Sequence, residues 1–235
     1  MPSSPTIGIL SAADKHARMS AAAIERLGGI AFRLDAADGA SPTLSLSLVD
    51  SLVCADDCGQ DGDAITLLRA ALDDDMPTYA LGGGLHLLNT AFGGKSAVPV
   101  SDHSADSPDR DGNAGDSDDA DTEADTDGTE SAYHQIYIAP GSRLAAVVGS
   151  GGFVRVNSRH AVGLREAQKS PLLLASAYSL EDGVIEALES ARHRWVIGVQ
   201  FRPERRMELP PHFDRLFQSL LERAVERADG AYDRA

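Results

Sequence analysis

Three consecutive glycines, Gly82, Gly83 and Gly84, stand between an apolar run, Thr78 to Leu81, and a helix-like stretch that begins Leu85-His86-Leu87-Leu88. Free N–H groups at the start of a helix attract a phosphate or a carboxylate, so this turn is a candidate anion site. The run is neither Gly-x-Gly-x-x-Gly nor a P-loop, and close packing of the turn explains it more simply than nucleotide binding. A second charged element follows another apolar run, where Val196-Ile197-Gly198-Val199-Gln200-Phe201 leads to Arg202 and Glu204. Arginine stays protonated at any working pH and cannot serve as a general base. Its simplest role is an ion pair with Glu204, and its charge also makes it a receptor for a carboxylate. His86, Asp56, Asp57 and His160 could converge near the same cavity and imitate a metal site, but neither a metal nor a cofactor is expected. The two cysteines, Cys54 and Cys58, stand four residues apart, which is neither a disulfide framework nor a zinc signature. Cys54 reads as a small buried hydrophobe, and Cys58 as a thiol on the following loop.

Several segments, in order, carry a resemblance. Pro77 to Asn89 holds a strand, an elbow and a helix; His134-Gln-Ile-Tyr-Ile138 precedes Pro140-Gly-Ser-Arg-Leu144. Val156-Asn-Ser-Arg-His160, Asp182-Gly-Val-Ile-Glu186-Ala187 and Val196-Ile-Gly-Val-Gln-Phe-Arg202-Pro-Glu204 follow. Together they resemble the class I glutamine amidotransferases, in particular the peptidase C26 and gamma-glutamyl-gamma-aminobutyrate hydrolase branch. The resemblance covers nearly all the chain outside residues 95 to 131. It implies an α/β fold, a three-layer sandwich around a mostly parallel central sheet of flavodoxin-like type, with added antiparallel strands.

The resemblance also implies a catalytic Cys–His–Glu triad, in which histidine takes the thiol proton and the thiolate attacks an amide carbonyl. Placed without a gap on Pro77, Gly84 and Asn89, the pattern puts its cysteine on Gly82 and its arginine on Gly83; its histidine falls on Arg202, while Glu204 is kept. Where the family has a glycine-rich oxyanion loop this chain reads Asp56-Asp57-Cys58, and two aspartates would repel an oxyanion. Loss of one oxyanion donor alone costs on the order of 100-fold in rate. His86 stands where the family has glutamine and His160 where it keeps a histidine, so inheritance accounts for both better than a metal does. The expectation is a pseudoenzyme that binds a small anionic or glutamate-like ligand, or a partner protein, through the former active site. Gly83, Gly84, His86, Asp57, His160 and Arg202 are its candidate ligand-binding residues. The alternative is an active gamma-glutamyl amide hydrolase, a C–N hydrolase, using Cys58 as a relocated nucleophile.

The elements that must position these residues follow from pattern. Thr6 to Leu10, Ile30 to Leu34, Leu52 to Ala55 and Thr78 to Leu81 read as strands, alternating with helices over Ala17 to Leu27 and Ala64 to Leu72. Such alternation argues for a parallel sheet covered on both faces. Five later strands, near 134 to 138, 153 to 156, 172 to 178, 183 to 187 and 195 to 201, add antiparallel pieces. A last amphipathic helix starts near Pro211, with Phe213, Leu216, Phe217, Leu220 and Leu221 at core spacing. The segment after the first strand is short, with His16 following Ile9 almost at once, so the pocket is expected to be open or shaped by a partner.

At 235 residues and 43% apolar the chain suits one domain, 1–235, with a substantial core. Residues 101 to 131 form an acidic insert, ten aspartates and two glutamates against Arg110, which holds −11 of the net charge of −15. Such a segment cannot bury enough surface to order itself, and its charge disfavours nucleic acid. Asp125-x-Asp127-Gly128 echoes half of a calcium loop, but His134 takes the place of that loop's closing glutamate. The expected partners are a small carboxylate ligand, or a protein such as a synthetase or an active amidotransferase, with a homo-oligomer as a further option. The start Met-Pro-Ser-Ser-Pro lacks a signal peptide and no run is long enough to span a membrane; a cytoplasmic location is expected.

Overall fold

The computed structural model describes residues 4–35, 41–56, 58, 62–104 and 131–230. Asp57, the Asp125–Gly128 loop and residues 105–130 of the acidic insert lie outside them.

Strand β1 (Thr6–Leu10), helix α1 (Asp14–Arg26), β2 (Ile30–Leu34), a short α2 (Pro42–Leu46), β3 (Ser51–Cys54), α3 (Gly62–Asp73), β4 (Thr78–Leu81) and α4 (Gly83–Ala91) form the first half. They are followed by β5 (Val98–Pro99), β6 (Ala132–Ile138), α5 (Arg143–Val148), β7 (Gly152–Ser158), β8 (Val162–Gly163), β9 (Leu174–Ser179), β10 (Ile185–Glu189) and β11 (Val196–Val199). A 3-10 turn, Pro211–Asp214, leads into α6 (Arg215–Ala228). A nine-stranded sheet runs β2-β1-β3-β4-β11-β10-β9-β6-β7, and β5 pairs with β8 apart from it. β2, β1, β3, β4 and β11 are mutually parallel; the pairs from β11 through β10, β9 and β6 to β7 are antiparallel. This is the expected α/β sandwich, a parallel half extended by an antiparallel one.

The period-2 alternation of strand side chains sorts the strands onto two cores. Ile7, Ile9, Val53, Tyr79, Leu81, Ile197 and Val199 face α1, α5 and α6, where Phe213, Leu216, Phe217 and Leu220 are buried. Leu52, Cys54, Ala80 and Val196 face the other way, onto Leu67, Leu68 and Leu72 of α3 and Leu85 and Leu88 of α4. The strands of the parallel half read as near-continuous apolar runs because both faces are covered.

The short helices α2 and α5 and the two-residue strands β5 and β8 were not in the sequence reading, and one residue expected to be solvated is buried. The turn of helix α2 was not expected, since Pro42 sits at its first position and pre-sets φ while the five residues give too short a pattern to read. The polar run from 101 was expected to be solvated throughout, yet His103 is buried. Its carbonyl accepts from Ser158 Oγ at 2.7 Å and from the His160 N–H at 3.0 Å, which fastens this end of the insert against β7. Among the described residues no helix is long and apolar enough to cross a membrane.

Candidate active site

In parallel α/β sheets the loops after the strands gather at one edge. Here the loops after β1, β3, β4 and β11 deliver His16, Asp56, Gly82 and Arg202 to one place. The elbow between β4 and α4 is the tightest part. Gly82 has φ 53° and ψ −116°, and its N–H is fixed to the Val199 carbonyl at 2.8 Å. Side-chain-bearing residues rarely adopt this conformation. A Cβ built on Gly82 would lie 2.0 Å from Asp56 Oδ1, one on Gly83 2.0 Å from the Asp56 carbonyl oxygen, and one on Gly84 2.2 Å from the Cys54 carbonyl oxygen. Gly83 and Gly84 are required because the backbone at and just after the end of β3 runs directly across the turn, whereas at Gly82 it is the Asp56 side chain that takes the space.

The side chain that fills the elbow is Asp56. Its Oδ1 accepts the Gly83 N–H at 2.7 Å, its Oδ2 lies 2.8 Å from Arg202 Nη1, and His16 Nδ1 stands 3.7 Å from Oδ2. Arg202 is only 5% exposed. Its backbone is clamped by Asn157, whose Oδ1 accepts the Arg202 N–H at 2.9 Å and whose Nδ2 donates to the Arg202 carbonyl at 3.2 Å. The guanidinium donates from Nε to Glu204 Oε1. Burial pulls the Arg202 pKa down, but Glu204 and Asp56 more than offset this and hold it above its ordinary value. Arg202 is therefore a fixed cation between two carboxylates, and these three side chains together carry one net negative charge. Burial, and after it the nearby Glu204 charge, pushes Tyr79 well above the usual phenol value, so it stays neutral.

The remaining sequence candidates lie around this centre. His86 is buried on α4, with Nε2 2.8 Å from Gln200 Oε1; burial holds its pKa below the ordinary value. His160 lies beside β10, with Nε2 3.6 Å from Glu186 Oε1, and is near enough to His86 to help lower its pKa. Cys58, 5% exposed, packs in the α3–α4 core rather than opening to the elbow, and burial raises Cys54 to about 12. Burial of this kind disfavours a thiolate. Asp57 lies outside the described residues. Asp56, read from sequence only as a repulsive neighbour, is the residue that joins the elbow to Arg202. His16 was read only as a marker of loop length, and the convergence of loops at the sheet's edge is the signal that would have singled it out.

The peptidase C26 family model matches residues 54 to 204, a span that starts beside Asp56 and ends on Glu204. The chain belongs to the peptidase C26 family. It is 31% identical over 166 residues to a Mycobacterium tuberculosis protein named as a glutamine amidotransferase, covering 71% of this chain and 46% of that protein. To the Escherichia coli gamma-glutamyl-gamma-aminobutyrate hydrolase it is 28% identical over 148 residues, covering 63% of this chain and 54% of the relative. The chain thus spans about half the length of these relatives. The structure of a GMP synthase component from Thermoplasma acidophilum matches with a TM-score of 0.67 at 13% identity over 97% of both chains. A glutamine amidotransferase from Thermotoga maritima matches with a TM-score of 0.61 at 12% identity, over 95% of this chain and 97% of that one. In this peptidase C26 member the space where a side chain on residue 82 would begin is taken by a carboxylate.

Proposed function

We propose that this chain is a peptidase C26 member that does not hydrolyse amides, and that its elbow is a carboxylate-binding site held by its own Asp56. The observation that supports this is the position of that carboxylate. It accepts the N–H at the start of α4, pairs with Arg202, and lies where a side chain on residue 82 would begin. In the family pattern those are the places of an oxyanion donor, a histidine base and a nucleophile. Here an arginine that cannot take a proton stands in place of the base, and a glycine in place of the thiol.

A glutamate-like ligand would exchange its carboxylate for that of Asp56 and meet the same two donors. The exchange is unfavourable in the intact chain, because Arg202 and Glu204 already balance and a second anion would face Asp56 itself. Two measurements test the reading. The purified protein is expected to release no glutamate from glutamine or gamma-glutamyl amides, and sustained release would overturn it. Calorimetric titration with glutamate is expected to show binding to Asp56→Ala at least about tenfold tighter than to the unaltered chain, an effect on the order of the 1.4 kcal/mol expected for a charge-assisted hydrogen bond. Equal affinity would sink the exchange. A relocated nucleophile at Cys58 finds no support in that thiol's burial within the core.

A further inference from the structure

Behind the elbow lies a second cluster that this reading does not use. Glu186 on β10 is 0% exposed, and its carboxylate is approached by imidazoles. Three imidazoles surround it, each more than nine-tenths buried: His103 from the segment after β5, His134 from β6 and His160 from the loop after β7. The distances to Glu186 Oε1 are 3.7 Å from His103 Nδ1, 3.2 Å from His134 Nε2 and 3.6 Å from His160 Nε2.

The outer hydrogen bonds fix what these rings present. His160 Nδ1 lies 3.0 Å from the Val162 carbonyl oxygen, which can only accept, so Nδ1 carries a proton. In the neutral ring Nε2 then aims a lone pair at Glu186, and no hydrogen bond satisfies it. His103 Nε2 lies 3.4 Å from Asp182 Oδ1, and its Nδ1 stands 3.4 Å from Ser158 Oγ and 3.7 Å from Glu186 Oε1. Ring nitrogens of three buried histidines thus stand 3.2 to 3.7 Å from one buried carboxylate oxygen, an arrangement that a cation among them would join. A ring nitrogen facing the centre, with its opposite nitrogen on a carbonyl or a carboxylate, is how metal-ligating histidines are oriented.

We infer that His103, His160 and Glu186 bind a divalent transition-metal ion of the zinc type, with His134 as the fourth ligand. The ligand atoms of His103, His160 and Glu186 lie within 4.8 Å of one another, and His134 Nε2, outside that group, would close in on the ion. The separations from Glu186 match the edge of a tetrahedron with bonds of about 2.1 Å, roughly 3.4 Å. A nitrogen-and-carboxylate set of this kind suits zinc, cobalt or nickel better than calcium or magnesium. The ligands come from four separate segments and are closed from water, so the ion would act as a clasp across β6, β7, β10 and the start of the acidic insert.

The test is titration of chelator-stripped protein with Zn2+ alone, followed by calorimetry, and with Co2+ followed by visible absorption. One equivalent is expected to bind, with the intense bands of tetrahedral cobalt. Glu186→Gln and His103→Ala are each expected to weaken binding at least ~100-fold, while His212→Ala, far from the cluster, leaves it unchanged. His103 lies outside the main sheet, so its variant keeps the test valid if Glu186→Gln fails to fold. Absence of a saturable equivalent, or binding that survives both substitutions, would overturn the inference and leave Glu186 balanced by protons on the histidines.

Discussion

At the scale of single residues, the site is decided by who occupies the space above Gly82. Asp56 Oδ1 is 2.0 Å from where the first side-chain atom of residue 82 would be. A Gly82→Cys, Arg202→His double variant is therefore expected to stay silent in a glutamate-release assay. Adding Asp56→Gly, which empties the space and frees the Gly83 N–H, is the change expected to bring activity; activity in the double variant would show that Asp56 swings aside unaided. Arg202→Ala tests the other side of the same contact. It leaves Glu204 buried without its cation, which costs about 3–5 kcal/mol and is read as a drop in the urea midpoint. Arg202 and Glu204 stand two apart in sequence and were legible as a pair. Asp56 and Arg202 are 146 positions apart, and no local pattern could have joined them.

At the scale of elements, the parallel half was legible because its strands are short apolar runs punctuated by turn residues. Thr78–Leu81 coincides with β4, and the buried Leu67, Leu68 and Leu72 sit where helical spacing puts them. Helix α2 and the burial of His103 were not legible. The first is too short to show a period, and the second is set by Ser158 and His160, residues of a strand and loop distant in sequence. For the same reason the cluster around Glu186 escaped notice, since its ligands lie on four segments with no common spacing. Helix α4 carries a pH-dependent term. The native His86 is kept neutral by burial, so its pKa lies below 6.5 while the unfolded chain takes up a proton near 6.5. Unfolding binds more protons in that window, so stability should fall as pH drops below about 6.5 and level off once the lowered native value is passed. His86→Gln, which removes the titration, should flatten the urea midpoint between pH 7 and 5; an unchanged slope would clear His86 of the effect.

At the scale of the whole molecule, the sheet separates two cores that share little beyond its backbone. Phe217 meets Tyr79 edge-on at 5.3 Å on the α6 face, and Leu68 is buried on the α3 face. Phe217→Ala should cost about 3–5 kcal/mol and Leu68→Ala about 2–5 kcal/mol. Because they lie on opposite faces, the double variant should show their sum within about 0.5 kcal/mol in equilibrium unfolding; a larger departure would mean the sheet transmits packing strain from one face to the other. The filled elbow also ties three positions together. A thiol placed alone at 82 meets an aspartate; a histidine placed alone at 202 removes the cation between two acids; a glycine placed alone at 56 leaves Arg202 with Glu204 only. Each residue is thus set by the other two, so substitutions among them are expected to be non-additive.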